Sequence, residues 1–298
     1  MKMKEERNLV KKQSAFLSPR VLLASLGIAA ALMLLGSFVD YPLSCALYNE
    51  TNPFAMFFAA YGEIPATLGL VAAGSLLLCG RNRQNRILGV SQCVGGTLLV
   101  LSGTLMICFM PTMYLPVSPV ILAVVGLALS AGTIILVLRL ARGADRAVLV
   151  RAAAAVFFVI LCEMVLVNCI KVPWGRPRMR LVASNAEACF LPWWQMGGTL
   201  KDSLIAVGVA SEEFKSFPSG HTANATVMLL LGLIPYLKPQ LQKFRNLFLA
   251  IGFAWAGVVA FTRIVMGAHY LTDTVAGFVI SLLCVYGICT AMFRRTKI

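Results

Sequence analysis

Residues 119–138 read PVILAVVGLALSAGTIILVL and contain no charged side chain. An α-helix of this length rises about 30 Å, which matches the thickness of the hydrocarbon core of a bilayer. A strand of a membrane barrel needs only about ten residues and alternates polar with apolar side chains. The stretch lacks that alternation and therefore predicts a transmembrane helix.

Seven further apolar stretches have similar lengths and few charges. Together with the first, they cover 21–39, 55–79, 87–110, 119–138, 152–170, 221–237, 246–262 and 271–292. No linker rich in Pro, Ser or Gly separates them, and no repeat of fixed period is present. The sequence predicts one all-α membrane domain, a polytopic transmembrane bundle of about eight helices.

The composition supports this prediction. Of 298 residues, 59% are hydrophobic and 13% charged, and the mean hydropathy is +0.83. Soluble domains carry about 25% charged residues, so a disordered chain, a disulfide-rich secreted domain and an ordinary cytosolic enzyme are excluded. Nine Cys include no CxxC pair, so no thiolate metal site or dithiol redox motif is predicted. Whether Cys45 and Cys189, both on the predicted outer side, form a disulfide stays open.

The net charge of +14 follows from an uneven distribution of Lys and Arg. With the N-terminus inside, the cytoplasmic segments hold 19 of the 26 cations; these segments are 1–20, 80–86, 139–151, 238–245 and 293–298. Such an excess marks the cytoplasmic side of a membrane protein. We therefore expect both termini inside, in the cell (cytoplasmic) membrane, and no nucleic acid partner. The first stretch is too long for a cleaved signal and is interpreted as a span.

The chain divides into three parts by the chemistry that they carry. Residues 1–20 form a basic cytoplasmic N-terminus, and residues 21–150 form four helices without evident chemistry. Residues 151–298 form the predicted catalytic core, with a long outer loop at 171–220. That loop contains six Lys and Arg residues, which is unusual for an outer loop and suggests an anionic ligand.

Three motifs lie at the predicted outer face of this core. They are KVPWGRPR at 171–178, PSGH at 218–221, and the pattern R-x5-H-x3-D at 263–273. The charge distribution alone predicts the same face for all three. We therefore expect them to form one site.

The motifs contain both histidines of the chain, His221 and His269. Imidazole is both a nucleophile and a proton donor near neutral pH. Asp273 follows His269 by one helical turn, so it can accept the Nδ1 proton and leave Nε2 free to attack. Asp273 can also cap the last helix, and the two roles are compatible.

Cations and a helix start accompany the histidines. Lys171, Arg178 and Arg263 can bind phosphate oxygens, or they can be interfacial anchors whose stems lie along the lipid. Ser219 and Gly220 begin a helix, where free backbone N–H groups favour an anion.

The order of the three motifs over residues 163–283 resembles the type 2 phosphatidic acid phosphatase superfamily. Its membrane members dephosphorylate lipid phosphates, and its soluble members include vanadium haloperoxidases and acid phosphatases. Two departures are visible: Met179 follows Arg178 where the family usually has Pro, and Thr262 replaces a frequent Ser. Arg176 does precede a Pro, but at a different spacing from Lys171, so Arg178 is matched to the family's arginine.

The resemblance implies a role for each matching residue. His269 is the nucleophile, Asp273 orients it, and His221 protonates the leaving group. The expected phosphate-binding residues are Lys171, Arg178, Ser219, Gly220 and Arg263. No metal ion and no cofactor are expected.

The predicted function is hydrolysis of a lipid phosphate or diphosphate at the outer face, through a phosphohistidine. Phosphatidate, phosphatidylglycerol phosphate and prenyl diphosphates are candidate substrates. Two alternatives stay open: an enzyme for a small ester such as a sugar phosphate, and a transporter of anionic lipids, which has no need of His269 beside Asp273. The substrate, the oligomeric state, the role of the first four spans and the roles of Glu63 and Glu163 also stay open. Both glutamates lie within apolar stretches, where ionisable residues are usually functional.

Overall fold

The structure is a computed structural model that describes residues 16–293. Most of the predicted basic N-terminus and residues 294–298 lie outside the described residues. The α-helices are α1 Pro19–Leu47, α2 Pro53–Tyr61, α3 Ile64–Cys79, α4 Arg86–Phe109, α5 Pro119–Ala141, α6 Arg146–Trp174, α7 Met179–Ser184, α8 Gly198–Ala206, α9 Gly220–Thr226, α10 Ile234–Leu237, α11 Arg245–Val265 and α12 Leu271–Phe293. The elements between residues 16 and 293 are α-helices and short 3-10 helices, which confirms the all-α fold class.

Seven helical segments in the described part of the chain are long and apolar enough to cross a membrane. The predicted sixth span differs from these seven because it is broken into α9, the 3-10 helix Val227–Leu233 and α10. Pro235 lacks the N–H that would continue the α-helical bonding at this point. A 3-10 helix rises about 2.0 Å per residue, so the broken segment still extends about 30 Å. Eight crossings and the inward placement of both termini stay predictions.

The predicted second span is also interrupted, and the interruption brings a carboxylate into the bundle. Helices α2 and α3 are separated at Gly62 and Glu63, because Pro65 at the start of α3 cannot donate a backbone hydrogen bond. The carbonyl oxygen of Gly62 is satisfied by Trp255 Nε1 of α11 at 3.0 Å. The hydrogen bond from Trp255 therefore compensates for the break in the helix. The break places Glu63 in the middle of an apolar segment.

Two helices continue past their predicted ends and carry polar groups into the structure. Helix α1 runs to Leu47 rather than to residue 39, so Asp40 is a buried helical residue. Helix α6 ends at Trp174, and the next residue, Gly175, has a φ of +67°, a left-handed conformation that suits glycine. Lys171 therefore lies in the last turn of α6.

The main hydrophobic core lies between α6, the broken segment and α12. Val159, Leu229 and Leu282 are fully buried representatives of these three elements. The first motif lies at the end of α6, the second at the start of the broken segment and the third at the start of α12. Packing of these three elements in one core therefore holds the three motifs in fixed positions relative to one another. Cys45 and Cys189 are exposed and unpaired, so the disulfide left open by the sequence is not formed.

Candidate active site

The three motifs meet through backbone contacts. Ser219 N donates to the carbonyl oxygen of Asp273 at 2.9 Å, which joins the second motif to the third. Gly277 on α12 packs against the same serine so closely that a Cβ there would lie 2.2 Å from its carbonyl oxygen. Arg180 N, just after the first motif, donates to Gly267 O at 3.0 Å. The structure thus brings together the motifs that the charge distribution predicts on one face.

His269 lies in the turn between α11 and α12 and is 1% exposed. Its Nδ1 is 2.6 Å from the carbonyl oxygen of Ser216, a geometry that requires a proton on Nδ1 and leaves Nε2 as the basic nitrogen of the neutral ring. The sequence predicts Asp273 as the partner of Nδ1, but Oδ2 of Asp273 is 3.9 Å away. The carbonyl oxygen takes the position predicted for the carboxylate.

Asp273 is occupied by other donors. Its Oδ2 accepts from Ser216 Oγ at 2.5 Å and from Tyr270 N at 2.8 Å. The second bond is the return bond of a capping box, in which the third helical residue reaches back to the residue before the helix. Asp273 therefore caps α12, as the second sequence interpretation predicts, and it touches His269 through Ser216.

The electrostatic surroundings of His269 favour its neutral form. Burial, and then the positive charges of Lys171, Arg263 and Arg178, hold the pKa of the His269 imidazole well below its ordinary value. At neutral pH the ring is uncharged. An uncharged ring with a free Nε2 is the form that can act as a nucleophile.

His221 lies in the first turn of α9, and its contacts come from the N-terminal half of the chain. Nδ1 is 3.3 Å from Glu63 Oε1. Nε2 is 3.3 Å from the carbonyl oxygen of Ala59 and 3.5 Å from Tyr114 Oη. The helices that the sequence left without chemistry therefore form one wall of the site.

Three predicted phosphate ligands are cations with few anionic partners in the described chain. Within residues 16–293, Lys171 and Arg263 have no ion pair, and Arg263 Nε is buried without a hydrogen bond. Arg178 has one distant contact, at 3.9 Å to Glu212 Oε2. Buried cations without a counter-ion are costly, so this arrangement fits a bound anion.

The two residues at the start of α9 have different surroundings. A Cβ on Gly220 would lie 3.3 Å from Lys171 Nζ, so glycine leaves space for the ammonium group. The hydroxyl of Ser219 caps α9 and accepts from Thr222 N at 3.3 Å and from Thr222 Oγ1 at 3.0 Å. Its side chain is thus used by the helix in this structure.

Sequence reasoning missed the function of Arg176. This residue is fully buried and donates from Nη1 to Asp273 Oδ1 at 2.5 Å and from Nη2 to Asp40 Oδ2 at 2.9 Å. Two signals were present in the sequence: the Arg-Pro pair at 176–177, and an aspartate at the end of an apolar stretch. Glu63 had the same kind of signal, whereas nothing in the sequence distinguishes Tyr114.

A cavity of about 510 Å³ opens between α1, α11 and α12. Most of its lining is apolar, for example Leu32 and Phe253. Thr222 and Leu271 also line it, and they are one and two residues from the two histidines. The cavity is therefore lined in part by residues that adjoin the two histidines in the sequence.

Fold and site define a helical membrane protein with two histidines, several cations and a buried carboxylate in one place. The family model of the PAP2 superfamily matches residues 152–297, just under half of the chain, so this part of the chain is similar to that superfamily. Phosphatidylglycerophosphatase B from Bacillus subtilis (strain 168) is 35% identical over 71 residues, which are 23% of this chain and 34% of that protein. The match thus spans about a third of that relative. No solved structure matches the chain.

Proposed function

We propose that the protein is a membrane phosphatase that releases phosphate from a lipid phosphate or diphosphate. The observation that carries this proposal is the neutral His269 among Lys171, Arg178 and Arg263, with His221 as a second imidazole nearby. A binding protein for anionic lipids has a use for the cations but none for a nucleophile held with one nitrogen free.

The proposed reaction has two steps. Nε2 of His269 attacks phosphorus, the bond to the ester oxygen breaks, and His221 donates its proton to that oxygen. The cations hold the remaining phosphoryl oxygens, on which charge is concentrated in the transition state. A water molecule then attacks the phosphohistidine, His221 accepts its proton, and the N–P bond breaks to release phosphate.

Three features support a lipid rather than a soluble ester as the substrate. The site is built at the ends of membrane helices, the adjoining cavity is lined mostly by apolar side chains, and the similar protein from B. subtilis carries the name of a lipid phosphatase. We expect an alkyl chain of the substrate to occupy this cavity while its phosphate is bound near His269. Phosphatidylglycerol phosphate, phosphatidate and prenyl diphosphates are the substrates to compare.

We further propose that the substrate reaches the site from the outer leaflet of the cell membrane. The distribution of Lys and Arg supports this orientation, because the segments opposite to the site hold most of the cations. Labelling of single cysteines by an impermeant reagent tests it. Labelling at position 200 from outside the cell is expected, and labelling there only after lysis would contradict the orientation.

The function is tested by phosphate release from purified protein in detergent. The panel contains the three lipid substrates, a sugar phosphate and a nitrophenyl phosphate. Release from at least one lipid at a much higher kcat/KM than from the sugar phosphate is expected. A preference for the sugar phosphate would favour the small-ester alternative, and no release from any ester would favour an anionic-lipid transporter.

A further inference from the structure

A carboxylate from outside the matched family region touches one of the two histidines. Nδ1 of His221 is 3.3 Å from Glu63 Oε1, and the two side chains are 14% and 12% exposed. The family model begins at residue 152, so it does not include Glu63. We propose that Glu63 is a positioning residue that holds Nδ1 of His221 and so favours proton donation from this ring to the leaving group, an inference that rests on the proposed phosphatase function.

Contacts with two residues of α9 hold the side chain of Glu63 in place. It lies in the break between α2 and α3, and its Oε1 also accepts from Asn224 Nδ2 at 3.0 Å. Asn224 and His221 are three residues apart on α9, so both face the carboxylate from one side of that short helix. Burial acts against ionisation of this carboxyl group, whereas the hydrogen bond from Asn224 and the charges of Arg263 and Lys171 favour the ionised form.

His221 has a particular need for such a partner. Burial, and then the positive charges of Arg263, Lys171 and Arg178, disfavour a positive charge on the imidazole of His221. The other polar neighbours, Tyr114 Oη and the carbonyl oxygen of Ala59, are neutral. Glu63 is the carboxylate in contact with this ring in the described chain, so it is the group that offsets the cations.

The two histidines therefore differ in the partner of Nδ1. His269 donates Nδ1–H to a neutral carbonyl oxygen, whereas His221 directs Nδ1 at a carboxylate. A neutral acceptor on Nδ1 suits a ring that attacks, and a carboxylate on Nδ1 suits a ring that donates a proton. With Nδ1 held by Glu63, Nε2 is the nitrogen that can reach a substrate oxygen, which would replace the long contacts to Ala59 and Tyr114.

If Glu63 acts through His221, the effect of removing its charge on kcat/KM should depend on the leaving group of the substrate. An alkyl phosphate departs as a basic alkoxide and needs the proton of His221, whereas a nitrophenyl phosphate leaves as a weakly basic anion and needs it much less. Glu63→Gln keeps the shape of the side chain and removes its charge. We expect kcat/KM for the alkyl ester to fall by about tenfold to 100-fold, up to the full value of general acid catalysis. The nitrophenyl ester should change by less than about threefold.

The pH profile provides the readout that a merely structural role would not move. Removal of a negative charge beside His221 disfavours the protonated ring, so the alkaline limb for the alkyl ester should move down by about one pH unit or more. Glu163→Gln is the matched control, because it removes another buried carboxylate that forms no hydrogen bond to either histidine. This control substitution should change kcat/KM for both esters by the same factor and leave the alkaline limb of the pH profile unchanged.

A double-mutant cycle connects the effect to His221. In a His221→Ala background, Glu63→Gln should cause no further loss on the alkyl ester. Equal losses on both esters, an unmoved limb or additive losses would overturn the inference. If Glu63→Gln does not fold, the pH profile of Glu63→Asp is measured instead, because the shorter side chain places the carboxylate farther from Nδ1. An alkaline limb that does not move in this variant would contradict the proposal. A wild-type protein that hydrolyses neither ester would instead contradict the phosphatase function itself.

Discussion

Arg176 donates from Nη1 to Oδ1 of Asp273 at 2.5 Å, and this contact ties the first motif to the carboxylate behind His269. The same guanidinium donates from Nη2 to Asp40 Oδ2 at 2.9 Å and from Nε to Leu191 O at 2.8 Å. One fully buried side chain therefore connects the first and last spans with the outer loop. Because Asp273 also accepts from Ser216, whose carbonyl oxygen accepts from His269, this connection supports the position of His269.

Asp40→Ala should destabilise the protein. It leaves Nη2 of Arg176 without its carboxylate and Thr272 N without the acceptor that it has at 3.0 Å. Breaking one partner of a buried ion pair costs about 3–5 kcal/mol, so the melting temperature in detergent should fall by about 5 °C or more. Asp202→Ala, at an exposed position of α8, is the control. Equal melting temperatures for the two variants would contradict the proposed importance of the Arg176 connection.

Asp273→Asn should reduce the rate of the chemical step more than substrate binding. The amide no longer neutralises Arg176 or accepts equally well from Ser216 Oγ, so the group that holds Nδ1 of His269 loses its support. We expect kcat to fall by about 10²-fold, less than the approximately 10⁴-fold found where an aspartate contacts the imidazole directly. Steady-state kinetics measure this loss.

Ser216→Ala is the companion variant, because it removes the hydroxyl and retains the carbonyl oxygen that accepts from His269. Its loss in kcat should be smaller than that of Asp273→Asn. A larger loss for Ser216→Ala, or a change confined to KM in Asp273→Asn, would show that the carboxylate acts in another way.

The sequence predicts the seven long apolar helices and the meeting of the three motifs well, for a physical reason. Lipid requires every crossing segment to satisfy its own backbone hydrogen bonds, so the length and apolarity of a stretch such as 119–138 decide its structure. The one-turn spacing of His269 and Asp273 likewise predicts that they lie close together. Spacing does not decide which oxygen receives the Nδ1 proton, because a backbone carbonyl such as that of Ser216 leaves no signal in the sequence.

Contacts between distant spans were harder to predict. The pairing of Arg176 with Asp40 depends on α1 continuing past residue 39, and polar residues there favour a loop when read alone. The contact of Glu63 with His221 requires two broken helices, α2–α3 and α9–α10, to pack with these two residues at the same level of the bundle. Such packing is set by the three-dimensional fit of side chains, which a single chain does not encode in any local pattern.

The pH dependence of His269 should be shifted to the acid side. Burial and neighbouring cations hold its pKa well below its ordinary value of about 6.5, so the neutral, attacking form persists below that pH. For a nitrophenyl ester, which needs little protonation by His221, kcat/KM should stay level as the pH falls through 6.5. The ionisation of the ester is measured separately by titration. Half-maximal kcat/KM at or above pH 6.5, after that correction, would contradict a neutral nucleophile.

Chelation should leave turnover unchanged. We propose that Lys171, Arg178 and Arg263 neutralise the phosphoryl oxygens, a task that bound metal ions perform in other phosphatases. Phosphate release is measured after dialysis against EDTA, with and without added magnesium. A rate lost on chelation and restored by magnesium would show that the cations are insufficient.

Covalent labelling of His269 tests the central claim most directly. Purified protein is mixed with a ³²P-labelled lipid phosphate, quenched within milliseconds in alkali and separated by electrophoresis, with His269→Ala and His221→Ala treated in the same way. The wild-type protein should carry a label that resists alkali and is lost in acid, as a phosphohistidine is, and His269→Ala should carry none. Label that persists in His269→Ala, or turnover by that variant at the wild-type rate, would contradict the account.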